Sequence, residues 1–242
     1  MNRSPLAAAS ETASLLAGLH RLRAGLIRAC AVVLVFSVAG YFAAEPLLAF
    51  LCRLTGVRLA AFGIPEVFFS LMTLALACGV FAASPYLLWA LLSALQASFP
   101  SFSGPRMRRA WVAAVLLFFA GVGFCLKVTL PYGVGFLLEF EGPSLEALIS
   151  VRKFVGFCLL FLFAFGALFE LPLAMILLGR LGVLRREALA RNRRYAILGI
   201  TIVSAVLTPT PDAFNLALMA VPLYLLFEVG LFGMRLQRSS GP

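Results

Sequence analysis

The sequence predicts an all-α, polytopic integral membrane protein with six transmembrane helices, and three observations carry that reading. Hydrophobic residues make up 62% of the 242-residue chain and charged residues only 12%, too little polar matter to clothe a water-soluble core. The apolar residues are gathered into stretches near the roughly 20 residues that a helix needs to cross a hydrocarbon layer. With six spans drawn, fifteen of the twenty lysines and arginines fall on one side. The positive-inside rule makes that side cytoplasmic, so both termini are expected inside, N-in and C-in. The net charge of +10 is thereby assigned to topology, and no nucleic-acid partner is expected.

The elements follow in order. Residues 1–20 form a cytoplasmic tail that runs into a helix over 15–28. The first span covers 26–44, and Glu45-Pro46 is expected to end it, leaving 46–66 as a loop lying against the bilayer interface. A second span, 67–95, carries Ser84-Pro85, where the missing amide hydrogen predicts a kink. Arg106, Arg108 and Arg109 precede a third span, 110–130, expected to stop at Pro131-Tyr132, with Lys127 snorkelling to the interface. Glu139, Glu141 and Glu146 mark the next loop, and the fourth span runs over 154–178. The fifth span, 196–207, is unusually short. A turn, Thr208-Pro209-Thr210-Pro211-Asp212, leads into a sixth over 213–234. Together they barely suffice for two crossings, which implies a thin bilayer or a face wet by a cavity. Residues 235–242 form a cytoplasmic tail, and the whole of 1–242 reads as a single transmembrane domain. The N-terminal twenty residues lack the apolar core of a cleavable signal peptide, so insertion is expected to depend on the internal spans. The paired broken helices of repeat-built transporters are not seen.

Several chemistries are excluded. The one histidine, His20, lies before the first span, so neither a Ser-His protease nor an HExxH zinc site fits the spans. No phosphate-binding glycine loop occurs, and Cys30, Cys52, Cys78, Cys125 and Cys158 lack metal-ligand spacing, with only Cys52 expected in a loop. The chain is not expected to be an enzyme or to hold a cofactor or metal. Two carboxylates lie within spans. Glu170 is the sole charge in 154–178, where a carboxylate costs about 2.5 kcal/mol or more and so reads as a functional polar site. Pro172 bends the helix beside it. The plainer reading of Glu170 is a hydrogen bond to a neighbouring helix. Glu228 reads as a helix-end residue that reaches water or pairs with Arg235. A further reading joins Glu170 and Glu228 as the relay of a small proton-coupled transporter.

Several motifs, in order, carry a resemblance: Pro65-Glu66-Val67-Phe68-Phe69, Ser84-Pro85, and Phe165-Gly166-Ala167-Leu168-Phe169-Glu170-Leu171-Pro172. Leu189-Ala190-Arg191-Asn192-Arg193-Arg194-Tyr195-Ala196, Leu207-Thr208-Pro209-Thr210-Pro211-Asp212-Ala213-Phe214 and the stretch Val221-Pro222 to Glu228-Val229-Gly230 complete the set. Over nearly its whole length the chain resembles TatC, the six-span core subunit of the twin-arginine protein translocase. The resemblance implies a concave, glove-like bundle that receives twin-arginine signal peptides of folded cargo. It implies single-span TatA- and TatB-like partners, the proton-motive force as driver, an inner-membrane location, contact with membrane lipid and a possible homo-oligomer. It also implies roles for Glu170 and Pro172 in the membrane face, and for Glu66, Phe68, Pro85, Thr208, Pro209 and Asp212 in the cap and kinks, with Glu228 in the last motif.

The signal-peptide face departs from the family pattern. Leu19, Arg21 and Arg23 occupy the N-terminal motif, so Arg21 stands where the family carries a glutamate. Arg106, Met107 and Arg108 fill the first cytoplasmic loop, again without an acid. Twin arginines would meet like charge there. Three readings follow: substitute acids such as Glu11 or Glu187, an assembly scaffold without signal recognition, or an acidic segment or anionic lipid docking at this basic face.

Overall fold

A computed structural model of the chain describes residues 5–98, 104–138, 148–207 and 213–238, with side chains described from Gly25 onward. It is built almost wholly of helices: α1 (Pro5–Thr55), α2 (Ile64–Ser98), α3 (Pro105–Phe124), α4 (Leu130–Leu138), α5 (Val151–Phe169), α6 (Leu171–Arg180), α7 (Arg186–Arg191), α8 (Arg193–Leu207) and α9 (Ala213–Arg238). Two-residue strands, β1 (Leu59–Ala60) and β2 (Ile149–Ser150), pair in parallel between the loops that precede α2 and α5. Among the described residues five stretches are long and apolar enough to cross a membrane: Gly25–Thr55, Pro65–Ala94, Pro105–Phe136, Val151–Arg180 and Leu216–Leu236. The expected fifth span corresponds to α8, whose 15 residues reach only about 22 Å at the α-helical rise.

Two boundaries differ from the sequence reading, each at a proline. Helix α1 runs through Pro46 to Thr55 rather than stopping at Glu45, so Cys52 is helical and not in a loop. The lost hydrogen bond is outweighed by packing: Ala44 and Leu51 are buried, and Leu47, Leu48 and Cys52 lie against the same core. The helix ends instead at Gly56, whose φ of 71° supplies the left-handed residue that closes a helix, with its N–H on the Cys52 carbonyl. The third span likewise passes Pro131. A π-helical turn, Cys125–Thr129, links α3 to α4 just before this proline. The wider i→i+5 turn relieves the crowding of the pyrrolidine ring against the preceding turn. Lys127 is exposed on that turn.

The helices approach closely because glycines remove side chains where they meet, which is how spans associate in lipid. A Cβ on Gly40 would stand 2.8 Å from the Ala75 carbonyl oxygen, and one on Gly79 would stand 2.7 Å from the Ser37 nitrogen, closing the α1–α2 hairpin. Gly121 of α3 lies against the backbone of Phe165 in α5. The main core forms around α5, with Phe154, Val155, Phe161 and Phe165 buried among Leu74, Leu130 and Met219. Phe81 of α2 stacks on Phe163 at 4.4 Å between ring centroids.

Candidate functional site

The fourth span is broken where the sequence placed its carboxylate. Glu170 separates α5 from α6, with its N–H on the Ala167 carbonyl at 3.1 Å and its own carbonyl accepting from Ala174 at 2.9 Å. Pro172, buried in the first turn of α6, has no hydrogen to give the preceding turn, so it fits where α6 starts anew. Among the described residues the buried Oε1 of Glu170 has no hydrogen-bond partner. The structural alternative, a carboxylate satisfied by a neighbouring helix, is therefore not seen at that oxygen. A buried carboxylate oxygen ordinarily has a donor, so a partner from outside the described residues is what this atom calls for.

Helix α6 is held in place by α9. A Cβ on Gly230 would come within 3.2 Å of the Pro172 Cα and 2.6 Å of the Met175 sulfur. Gly179 packs against Met234, and Gly233 against Ile176. Two residues before Gly230, Glu228 accepts from Tyr224 Oη at 2.8 Å and from Arg193 Nη2 at 3.0 Å. Its partner is thus Arg193 at the start of α8, in place of the Arg235 expected from sequence: α8 turns back along α9 and brings its first turn to the end of the carboxylate's reach. Both oxygens of Glu228 are engaged locally, and no described hydrogen bond links it to Glu170, so the geometry assembles no relay between them.

At the opposite end of the spans, Glu66 ties three segments together. Pro65 and Glu66 open α2, a favourable place for an acid beside the helix dipole. Oε2 accepts from the Phe62 N–H at 2.7 Å, while Oε1 accepts from the Ser150 hydroxyl and from the Arg152 N–H at 3.2 Å. Ser150 also caps α5, accepting from the Lys153 N–H at 3.3 Å. Phe68, one turn into α2, is 53% exposed and takes no part in this network.

The Ser84-Pro85 pair works as a unit. Pro85 leaves the Phe81 carbonyl without its helical partner, and the Ser84 hydroxyl donates to that oxygen at 2.7 Å. The Pro85 carbonyl accepts from Trp111 Nε1 of α3 at 2.8 Å. Arg106 and Arg108, expected from sequence in a loop before the third span, lie instead in the first turn of α3, which Pro105 opens; both are exposed, whereas Met107 is buried with Leu92, Ala110, Ala114 and Leu173. Met107 is therefore a core residue between two surface arginines. Leu19, Arg21 and Arg23 lie in α1, but their side chains fall outside the described residues, as do Thr208, Pro209 and Asp212 altogether. Sequence reasoning missed Arg193, Tyr224, Ser150 and Trp111 as partners; only their residue types, donors within reach of a membrane-embedded acceptor, could have signalled them.

Comparison with known proteins gives one answer. The family model described as "Sec-independent protein translocase protein (TatC)" matches residues 18–222. Relatives bearing the same name include one from Azotobacter chroococcum, 34% identical with 94% of this chain and 92% of the relative covered. One from Carboxydothermus hydrogenoformans is 34% identical over 73% of this chain and 72% of the relative. One from Escherichia coli K12 is 28% identical over 96% and 92%. A solved crystal structure, of the twin arginine translocase receptor TatC, superposes with a TM-score of 0.75 at 29% identity, covering 90% of this chain and 98% of the other. With the family model matched over residues 18–222 and a 34% identical relative aligned over 94% of the chain's length, this chain belongs to the TatC family of Sec-independent protein translocase proteins.

Proposed function

We propose that the chain is the core receptor subunit of a twin-arginine translocase, taking part in the export of folded proteins across a bacterial inner membrane. The observation that carries this reading is the Glu170 break, with its unpartnered carboxylate oxygen, within a fold that superposes on a twin-arginine receptor. The chain crosses the membrane six times, with both termini cytoplasmic and α8 as the fifth, shortened crossing. TatA- and TatB-like single-span subunits are its partners, and the proton-motive force drives transport. The chain itself catalyses no covalent chemistry. Glu66 holds the outer cap, with Phe68 exposed beside it; the cap roles that the resemblance implies for Thr208, Pro209 and Asp212 lie outside the described residues. Pro85 shapes the second span.

The basic character of the first turn of α3 favours a specific second reading. Arg106 and Arg108 are exposed where the family pattern offers acid, so the chain could serve as an assembly scaffold that no longer reads the signal. Site-specific photocrosslinking separates the two. The probes belong at Leu19 and at Arg106, because the side chain of Met107 is buried. Crosslinks to a twin-arginine precursor that vanish with its lysine-lysine variant support the receptor. Crosslinks to the partner subunits but to neither precursor establish the scaffold in its place.

A further inference from the structure

A cavity of about 850 Å³ lies at the end of the bundle where α2 and α5 begin. One wall is apolar and open: Phe62 is 67% exposed, Phe69 58% and Leu148 64%. The other wall carries Arg152 and Lys153, both exposed. Their side chains form no ion pair among those described. Glu66 also lines the cavity and stays ionised, but its oxygens are taken up by Ser150, Phe62 and the Arg152 backbone, which leaves an incoming anion to the Arg152 and Lys153 side chains. The membrane-spanning stretches begin at Pro65 and Val151 on this same edge. The cavity is therefore level with the boundary between hydrocarbon and water, where lipid phosphates reside.

Topology gives these cations no role. The arginines that orient the chain are on the other side, and two adjacent positive residues on this side work weakly against that orientation. A guanidinium and an ammonium next to an exposed aromatic surface at the interface match one ligand: a phosphate ester that carries acyl chains.

We propose that this cavity binds one anionic glycerophospholipid, with its headgroup phosphate on Arg152 and Lys153 and an acyl chain along Phe69 and Leu148. The headgroup would sit beside the Glu66–Ser150 network and brace the wall from outside. This inference needs only the membrane-spanning architecture, so it stands or falls independently of signal recognition.

The test uses the full chain in nanodiscs of phosphatidylcholine, with Phe62→Trp as a reporter over the background of Trp89 and Trp111. Brominated phosphatidylglycerol, titrated in as a minor component, should quench the reporter at about tenfold lower mole fraction than brominated phosphatidylcholine. Arg152→Gln with Lys153→Gln should abolish that preference, while Arg185→Gln on the opposite basic loop should leave it intact. An unchanged thermal transition of the double variant shows that the loss is not unfolding; if that variant fails to fold, the lipid preference of the Phe62→Trp protein alone decides. Equal quenching by both lipids would overturn the proposal. So would displacement of the lipid by excess inorganic phosphate or by an acidic peptide, which would identify a soluble anion or a protein segment as the occupant.

Discussion

Glu170 is kept in a place that costs stability. A buried carboxylate oxygen without a donor forfeits about 1–3 kcal/mol relative to a satisfied or apolar group. Glu170→Leu should therefore raise the free energy of unfolding in detergent by about 1 kcal/mol or more, and membrane insertion should stay normal. Export of a twin-arginine substrate should fall to background in the same variant. Unimpaired export would remove Glu170 from the transport machinery, and a loss of stability would mean that the oxygen is satisfied after all. Such an opposition between stability and activity is the signature expected of a functional polar group in a packed span. The Arg193–Glu228 pair is of another kind. Arg193 is 51% exposed, so the pair contributes little to stability, on the order of 0–1 kcal/mol, and serves to fix where α8 starts on α9.

Where α3 crosses α5, Gly121 meets the Phe165 carbonyl. Backbone cannot yield as a flexible side chain can, so Gly121→Val should destabilise the fold by about 1–3 kcal/mol, read as a lower unfolding midpoint. Gly123, two residues on, has open space at its Cβ position, and Gly123→Val should leave that midpoint within about 0.5 kcal/mol of the parent. Helix existence was legible in the sequence because apolar length and arginine spacing are composition signals that need no partner. Helix ends were less so. Pro46 and Pro131 look like stop signals in a linear reading, yet buried Leu51 and Leu130 on their helices outweigh one lost hydrogen bond each. At the candidate site the carboxylate and the proline could be read from their isolation in an apolar run. The partners could not: Arg193 is thirty-five positions from Glu228 and Ser150 eighty-four from Glu66, separations that only the fold can close.

For the molecule as a whole, charge and length govern how it sits in the bilayer. The basic loop holds Arg180, Arg185, Arg186, Arg191, Arg193 and Arg194, and it should anchor that end in the cytoplasm. Asn192→Cys, on this loop, should resist a membrane-impermeant maleimide in intact cells and react after lysis. Gly63→Cys, beside the start of α2, should react without lysis. Both sites are exposed, so reactivity reports sidedness, and the reverse pattern would invert the topology. The two ends of the bundle are built differently. The basic end carries one side-chain ion pair among the described residues, Arg193–Glu228, while the other is bound by a two-strand pair and the Glu66 network.

That second closure has a consequence for biogenesis. The α1–α2 hairpin has its contacts, through Gly40 and Gly79, within one stretch of neighbouring sequence, so it can assemble as soon as both helices leave the ribosome. Glu66 must wait. Ser150 and Arg152 follow it by eighty-four and eighty-six residues, a long loop to close and a late event in synthesis. Until then the carboxylate that starts α2 lacks two of its three donors. The outer clasp therefore records that α5 has arrived, and truncation before residue 149 leaves a chain whose first hairpin is made but whose far end is still unfastened.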